Sequence, residues 1–126
     1  MRYLLDTSIA SAYLKQERMV IQRVSEIDYY LSSIVAGELF HWAFASPQKA
    51  ARLKAVRSLI ELAPIILIDV AIAERYGVVI HETQTAGQPI SRNDLWIAAT
   101  ALVHDLALLT RDTDFTRVRG LKIENR

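Results

Sequence analysis

The chain has 126 residues, of which 52% are hydrophobic and 23% charged, with a formal net charge of +1 and no cysteine. Its length suits one domain over residues 1–126, and the missing cysteine excludes disulfides and cysteine-based zinc sites. Because the net charge is close to zero, a nucleic-acid partner has to be argued from local clusters. No apolar run approaches the roughly 20 residues of a membrane span. Asp6 also interrupts the first apolar stretch, so we expect a cytoplasmic protein with no membrane partner.

The first half of the chain alternates short apolar runs with longer helical patterns. These patterns predict, in chain order, a strand, a helix, a second strand and two further helices. Pro47 stands just after the second helix, where a helix stop is expected. The predicted bounds are Tyr3–Leu5, Thr7–Lys15, Tyr29–Leu31, Ser33 to about Ala45, and residues 48–62.

In the second half, Ile65–Ile68 is the clearest strand, because it is short, β-branched and bounded by Pro64 and Asp69. Further patterns predict a helix from Val70 to about Ala86 before Gly87 and Pro89, a helix with its apolar stripe over Leu95–Val103, and strands at Ala107–Leu109 and Leu121–Ile123. This alternation predicts an α/β fold, with a parallel sheet and helices on both of its faces. Sites in such folds lie at the carboxyl ends of the strands, so acidic residues that follow strands are the candidates.

Four acidic residues are candidate site residues. Asp6 directly follows the first predicted strand and Asp112 closely follows the fourth, so two parallel strands would bring both to the same edge of the sheet. Glu38 lies beside the apolar stripe of its helix, where an unpaired carboxylate is costly. Asp94 stands at the start of the helix whose apolar stripe begins at Leu95.

Each of these residues also has an ordinary structural explanation. Asp6 could cap the helix that follows it, and Asp94 could interact with the dipole of its own helix. Glu38 could place its carboxylate in water, and Asp112 and Asp114 are typical turn residues. All of these explanations would have to hold at once to remove the site, so the joint pattern favours a functional cluster.

A cluster of carboxylates implies a particular chemistry. Two carboxylates about 4 Å apart repel by roughly 4 kcal/mol at an effective dielectric constant of about 20, so several in one pocket need protons or a bound cation. Oxygen ligands favour hard ions such as Mg²⁺, Mn²⁺ or Ca²⁺ over zinc. Such an ion can activate water and neutralise charge on a phosphodiester, which makes nucleic-acid hydrolysis a natural use of the cluster.

Four segments resemble the successive motifs of PIN domains, and in particular those of VapC-type toxin ribonucleases. They are LLDTS at residues 4–8, SSIVAGELF at 32–40, NDLWIAATALVHD at 93–105 and LLTRDTDFTRVRGLKIEN at 108–125. The resemblance implies a three-layer α/β/α fold with a short parallel central sheet of four to five strands. It also implies an endoribonuclease that uses Mg²⁺ or Mn²⁺, forms a homodimer and is silenced by a cognate antitoxin.

The resemblance also implies roles for individual residues. The acidic tetrad would be Asp6, Glu38, Asp94 and Asp112. Asp6 and Asp94 would be the direct metal ligands, while the other two help to bind the metal or orient the attacking water. Many VapC-type members have Asn at the position of Asp112 and an acid a few residues later, so Asp114 is an alternative fourth member. Small hydroxyl residues that match positions near the site, and could support it by hydrogen bonds, are Thr7, Ser8 and Thr110.

Basic residues offer two candidate surfaces for the RNA backbone. One comprises the cations of the third predicted helix, Lys49, Arg52, Lys54 and Arg57. The other comprises Arg92 and Arg111, which stand beside acidic motifs in the sequence. A solvated helix face and simple compensation of negative charge explain these residues equally well. Histidines 41, 81 and 104 are interpreted as surface or core-edge residues, and Trp42 and Trp96 as core or interface residues.

Two other functions fit the sequence less well. A receiver-like signalling domain would use an aspartate after a central strand as phosphoacceptor, and Asp69 has that position. However, Asp69 directly precedes a helix and is interpreted as its cap, and this alternative leaves Glu38 and Asp94 unexplained. A PIN-like module that binds RNA or a partner without cleaving is the other alternative, and the complete set of acids argues against it.

Overall fold

The computed structural model describes all 126 residues, which form six α-helices and five β-strands. A 3₁₀ turn over Thr113–Arg117 connects the last two strands. The elements, in chain order, are β1 (Arg2–Leu5), α1 (Thr7–Leu14), α2 (Arg18–Ser25), β2 (Asp28–Ser32), α3 (Ser33–Phe44), α4 (Lys49–Leu62), β3 (Ile65–Ile66), α5 (Val70–Thr85), α6 (Arg92–Val103), β4 (Ala107–Thr110) and β5 (Ile123–Asn125).

All five strands form one parallel sheet in the order β3-β2-β1-β4-β5. β1 is the central strand, and its Tyr3 lies opposite Tyr29 of β2 on one side and Ala107 of β4 on the other. Helices connect β1 to β2, β2 to β3 and β3 to β4, whereas β4 and β5 are connected through the 3₁₀ turn. The predicted α/β fold with a parallel sheet between helices is therefore confirmed, with five strands.

The hydrophobic core lies around β1 and β4. Both strands are buried over almost their whole length, which explains why they read as unbroken apolar runs rather than as alternating patterns. Leu4, Leu5 and Leu108 are fully buried, and burial of a leucine side chain contributes roughly 1.5–3 kcal/mol. The helices contribute most of the other members of a single cluster of 26 buried apolar residues. This core fixes the position of the strand ends from which the candidate site is built.

Polar caps begin four of the helices. The side chains of Asp6, Ser32, Asp69 and Ser91 each accept a hydrogen bond from the backbone N–H three residues later. The backbone N–H of Ile72 donates to Oδ1 of Asp69 at 2.9 Å, so the predicted role of Asp69 as the cap of α5 is confirmed. None of the six helices combines the length and the apolar character that crossing a membrane requires.

The structure differs from the sequence-based prediction in three elements. Helix α2 was not predicted, because it is short and turns only Val20 and Val24 towards the core. β3 ends at Ile66 rather than Ile68, since it is an edge strand that pairs only with β2 and the next residue, Leu67, is 71% exposed. The last strand is Ile123–Asn125 instead of Leu121–Ile123, so it begins two residues later than predicted, where Ile123 pairs with Leu108 of β4.

Candidate carboxylate site at the carboxyl edge of the sheet

The centre of the candidate site is the junction between the ends of β1 and β4. Leu5 and Leu109 are register partners in these strands, and the backbone N–H of Asp6 donates to the carbonyl of Leu109 at 3.1 Å. The next residue of β4, Thr110, is fully buried and donates a short hydrogen bond from its hydroxyl to Oδ2 of Asp6. The strand pairing therefore fixes Asp6 and Thr110 side by side.

Asp6 is almost completely buried, at 4% exposure. Its Oδ1 accepts hydrogen bonds from the Ser8 hydroxyl at 2.6 Å and from the backbone N–H of Ile9 at 3.1 Å. Burial raises the pKa of Asp6 above its ordinary value, and the negative charge of Asp112 acts in the same direction. The hydrogen bonds that Asp6 accepts, from Ser8 first, oppose this increase in pKa. Asp6 is thus a helix cap and a member of the acidic cluster at once.

Asp112 is connected to the same junction through Thr110. Its backbone N–H donates to the Thr110 hydroxyl at 2.9 Å, and its Oδ1 accepts from the backbone N–H of Asp114 at 2.8 Å. Asp114 instead directs its carboxylate to Arg117, at 3.3 Å. The charge of Asp112 raises the pKa of both Asp6 and Asp94. The structure therefore places Asp112 against the other acids and turns Asp114 towards a basic partner.

Glu38 reaches the site from α3. It is partly buried, and its Oε1 accepts a hydrogen bond from the Thr7 hydroxyl at 2.6 Å. Thr7 is the first residue of α1, directly after Asp6, so this bond joins the start of α1 to the middle of α3. The position of Glu38 on α3 and the hydrogen bond from Thr7 thus orient its carboxylate, which would be costly to bury without a partner.

Asp94 is the residue whose electrostatics connect all four acids. It lies in the first turn of α6, where its backbone N–H donates to the Ser91 hydroxyl at 3.3 Å. Burial is the main cause that raises the pKa of Asp94 to about 6, and a hydrogen bond from Ser91 partly opposes this increase. The other causes that raise this pKa are the negative charges of Asp112, Glu38 and Asp6. Asp6, Glu38, Asp94 and Asp112 are therefore one electrostatic group, called the carboxylate site below.

The donor atoms of the carboxylate site are all oxygens, which suits a hard divalent cation. Burial first, and the neighbouring carboxylates after it, raise the pKa values of Asp6 and Asp94, and a bound cation would favour the charged form of both groups. As the side chains stand, no three acidic or histidine residues form a group that could hold a metal ion. Metal binding would thus require side-chain rotation, and Glu38, Asp94 and Asp112 are only partly buried.

The supporting hydroxyls predicted from the sequence all contact the acids. Thr7 holds Glu38, Thr110 bridges Asp6 to the backbone of Asp112, and Ser8 holds Asp6 while accepting from the backbone N–H of Arg111 at 3.2 Å. Sequence reasoning missed Ser91, the partner of Asp94. A signal for it was present, because serine followed by an acid three residues later is the spacing of a helix N-terminal capping motif.

The structure separates the basic residues into two kinds. Arg111 forms an ion pair with Glu17 at 2.7 Å, and Arg92 donates to the Tyr76 hydroxyl at 3.0 Å. Both arginines are exposed, and these surface contacts leave their expected role in RNA binding a prediction. On α4, the guanidinium of Arg52 lies over the ring of Trp42, 4.2 Å from its centroid. The remaining cations of α4 are exposed and form no ion pair; they are Lys49, Lys54 and Arg57.

These observations define an α/β protein whose parallel sheet gathers four acids at its carboxyl edge. Residues 3–121 match the family model described as "PIN domain", and the chain belongs to this family. It is 30% identical to "Ribonuclease VapC1" of Haemophilus influenzae (strain R2866), over 97% of this chain and 96% of that protein. It is 28% identical to "Ribonuclease VapC4" of Mycobacterium tuberculosis, over 97% of this chain and 95% of that protein.

Solved structures with the same fold include complexes of VapB with VapC. A chain of VapBC2 from Rickettsia felis, bound to a DNA fragment from their promoter, superposes with a TM-score of 0.93 and 26% identity over 100% of this chain and 99% of that one. A chain of DNA-bound VapBC from Salmonella typhimurium gives a TM-score of 0.94 and 25% identity, over 99% and 98% of the two chains. For VapBC-1 from nontypeable Haemophilus influenzae the TM-score is 0.87 and the identity 30%, over 99% and 98%.

Proposed function

We propose that this chain is a metal-dependent endoribonuclease that hydrolyses RNA phosphodiester bonds as the toxin of a toxin–antitoxin pair. The observation that carries the proposal is the environment of Asp94, whose pKa is raised to about 6 partly by the charges of Asp112, Glu38 and Asp6. Such a cluster suits a divalent cation, and the chain belongs to the PIN domain family with curated relatives named ribonucleases.

We assign Asp6 and Asp94 as direct ligands of Mg²⁺ or Mn²⁺, with Glu38 and Asp112 completing the site. When bound, the cation would neutralise charge on the phosphodiester and lower the pKa of water. The hydroxyls of Ser8 and Thr110 hold Asp6 in one orientation. With Asp6 fixed, the side-chain rotation that metal binding requires would fall on the partly buried Glu38, Asp94 and Asp112.

Glu38 is the candidate for handling the proton of the attacking water. Its Oε1 is engaged by the Thr7 hydroxyl, whereas Oε2 forms no hydrogen bond within the chain. Oε2 is therefore the atom we expect to accept the proton. Asp112 is preferred to Asp114 as the fourth acid, since Asp114 pairs with Arg117 and Asp112 acts on both Asp6 and Asp94.

The partners we propose are an antitoxin protein and a second copy of this chain. Support for the antitoxin comes from the similar solved structures, which are complexes of VapB with VapC. Large apolar side chains that stay exposed offer surface for either partner, among them Leu62 (83%), Val70 (83%) and Leu67 (71%). The receiver-like alternative has little support, because the side chain of Asp69 already caps α5.

The decisive experiment is cleavage of mixed-sequence single-stranded RNA by purified, antitoxin-free protein with Mn²⁺ or Mg²⁺. We expect Asp6→Asn to lower cleavage at least about 100-fold, because it removes a negative ligand while keeping the shape of the side chain. The matched control is Asp69→Asn, which alters another helix-capping aspartate outside the carboxylate site and should cleave like the wild type. Equal cleavage by Asp6→Asn and the wild type would remove the proposed site, and a wild type that cleaves no RNA would leave only a binding module.

A further inference from the structure

A cavity of about 490 Å³ opens beside the carboxylate site. Two of its eight lining residues are Thr7 and Asn93, which directly neighbour Asp6 and Asp94 in the chain. Its volume is within the usual range for small-ligand sites. The other six lining residues lie on one face of α3 at spacings of three and four residues, and are Ser33, Ile34, Gly37, Glu38, His41 and Trp42.

Gly37 keeps the middle of this face open. A Cβ added to Gly37 would meet no atom within 4 Å outside its chain neighbours and the backbone of its own helix, so close packing does not require glycine here. Glycine in a helix interior is less favourable than alanine. A side chain at position 37, between Ser33 one turn before and His41 one turn after, would therefore project into open space at the cavity.

Trp42 is one of the residues that line the cavity, and a cation lies over its ring. The ring is only partly buried, and the guanidinium of Arg52 lies over it at 4.2 Å from the centroid. The structure confirms that Trp42 packs against the core, as one part of its sequence-based interpretation had it, and the same side chain also lines the cavity. Aromatic rings flanked by cations suit nucleotides, whose flat bases stack and whose phosphates attract positive charge.

We propose that this cavity receives one unpaired nucleobase adjacent to the cleaved phosphodiester, stacked against Trp42. This inference rests on the proposed ribonuclease function and assigns its substrate class. A base in a duplex is paired and stacked, so only a nucleotide that is free to leave its stack can enter. Glu38 lines the cavity and also belongs to the carboxylate site, so a base held here keeps its own phosphate within reach of the acids.

The first test fills the cavity. Gly37→Leu places a side chain in the open space, whereas the matched control Gly37→Ala adds one methyl group and favours the helix. We expect Gly37→Leu to cleave mixed-sequence single-stranded RNA about 10- to 100-fold more slowly than Gly37→Ala, the effect that one stacked base contributes. A second variant, Trp42→Leu, keeps an apolar side chain on α3 but removes the flat ring, and should lose cleavage to a similar degree.

The second test removes the base instead of the cavity. After the cleaved bond has been mapped, each flanking nucleotide is replaced in turn by an abasic one. We expect one of these replacements to slow wild-type cleavage about 10- to 100-fold and to have little further effect on Gly37→Leu, because both changes remove the same contact. Equal cleavage of intact and abasic RNA by the wild type, or equal cleavage by Gly37→Leu and Gly37→Ala, overturns the inference.

A third measurement separates the cavity from the chemistry. In a Trp96→Phe background Trp42 is the only tryptophan, and RNA added with a metal chelator present should quench its fluorescence with Gly37 or Ala at position 37 but not in Gly37→Leu. If RNA quenches the fluorescence of Trp42 but is not cleaved when Mg²⁺ or Mn²⁺ is added, the cavity is supported and the ribonuclease function is removed. Cleavage without any quenching would remove the cavity and leave the ribonuclease function intact.

Discussion

The pKa of Asp94 shows how the carboxylate site affects one of its members. Its pKa in the folded protein is raised to about 6 by burial first and by the charges of Asp112, Glu38 and Asp6 next. In the unfolded chain the same carboxyl group has its ordinary pKa of about 3.9. Because the folded-state pKa is the higher one, folding favours the protonated form. The resulting stabilisation is complete below about pH 4 and is lost as the pH rises through about 6.

We therefore expect the metal-free protein to be less stable at pH 7.5 than at pH 5. The contribution of Asp94 to this difference should be on the order of 1–2 kcal/mol after allowance for solvent screening. The measurement is denaturant unfolding with a metal chelator present, for the wild type and Asp94→Asn. The variant should show a clearly smaller pH dependence, while Asp105→Asn, at an exposed carboxylate paired only with Lys122, should behave like the wild type. The same pH dependence in Asp94→Asn and the wild type would show that Asp94 does not carry this charge.

Helix α2 and strands β1 and β5 are joined by a single cluster around Glu124. Its carboxylate accepts two hydrogen bonds from Arg23 of α2, at 2.7 and 2.8 Å, one from the Tyr3 hydroxyl of β1 at 3.0 Å and one from Arg126 at 2.9 Å. The hydrogen bond from Arg23, first among these, lowers the pKa of Glu124 to about 2. The stabilisation is then present above the ordinary pKa of about 4.3 and is lost as the pH falls through about 2.

Replacing Glu124 tests how far this cluster fixes the three elements. We expect Glu124→Gln to lower the free energy of unfolding at pH 7 by about 1–2 kcal/mol, because Arg23 and Tyr3 lose a charged acceptor. The difference from the wild type should shrink towards pH 2–3, where the carboxylate becomes protonated. Glu26→Gln is the control, since Glu26 contacts the same arginine at 3.4 Å from an exposed position and should change stability little. Equal effects of the two substitutions would mean that the cluster contributes no more than a surface ion pair.

The sequence allowed some of these arrangements to be predicted and not others. The proximity of Asp6 and Asp112 could be predicted, because both follow parallel strands and β1 and β4 are neighbours in the sheet. The choice between Asp112 and Asp114 could not, since it depends on which carboxylate meets Arg117 and on hydrogen bonds of the 3₁₀ turn. The hydrogen bond between Thr7 and Glu38 could not be predicted either, because helix packing sets the distance between α1 and α3.

The same limit applies to whole elements and surfaces. Short apolar strands and capped helices leave clear sequence patterns, which is why the parallel sheet, and Asp69 as the cap of α5, were predicted correctly. Helix α2 leaves a weak pattern, since only Val20 and Val24 of its eight residues are buried. The cavity beside α3 leaves none, because it depends on how the first residues of α1 and α6 pack beside α3.

For the molecule as a whole, metal binding and folding should be linked. The chain has a net charge of only +1, yet four of its fourteen acidic residues converge on one edge of the sheet. The unfolded chain does not bring these residues together, so a divalent cation that they hold binds the folded protein only. Such binding stabilises by about 2.7 kcal/mol at a free-ion concentration of about 100 times Kd, which corresponds to a rise in Tm of about 10 °C for a domain of this size.

The Tm response to Mn²⁺ should therefore depend on the carboxylate site and on no other acid. We expect Asp94→Asn to blunt the rise in Tm while leaving the metal-free protein as stable as the wild type at pH 7.5 or more so, because the substitution relieves repulsion among the remaining acids. Asp105→Asn removes the same charge from an exposed position outside the site, and its Tm should respond to Mn²⁺ as the wild type does. A full Mn²⁺ response in Asp94→Asn would exclude Asp94 as a ligand, and an equal loss in Asp105→Asn would indicate general charge screening instead of a built site.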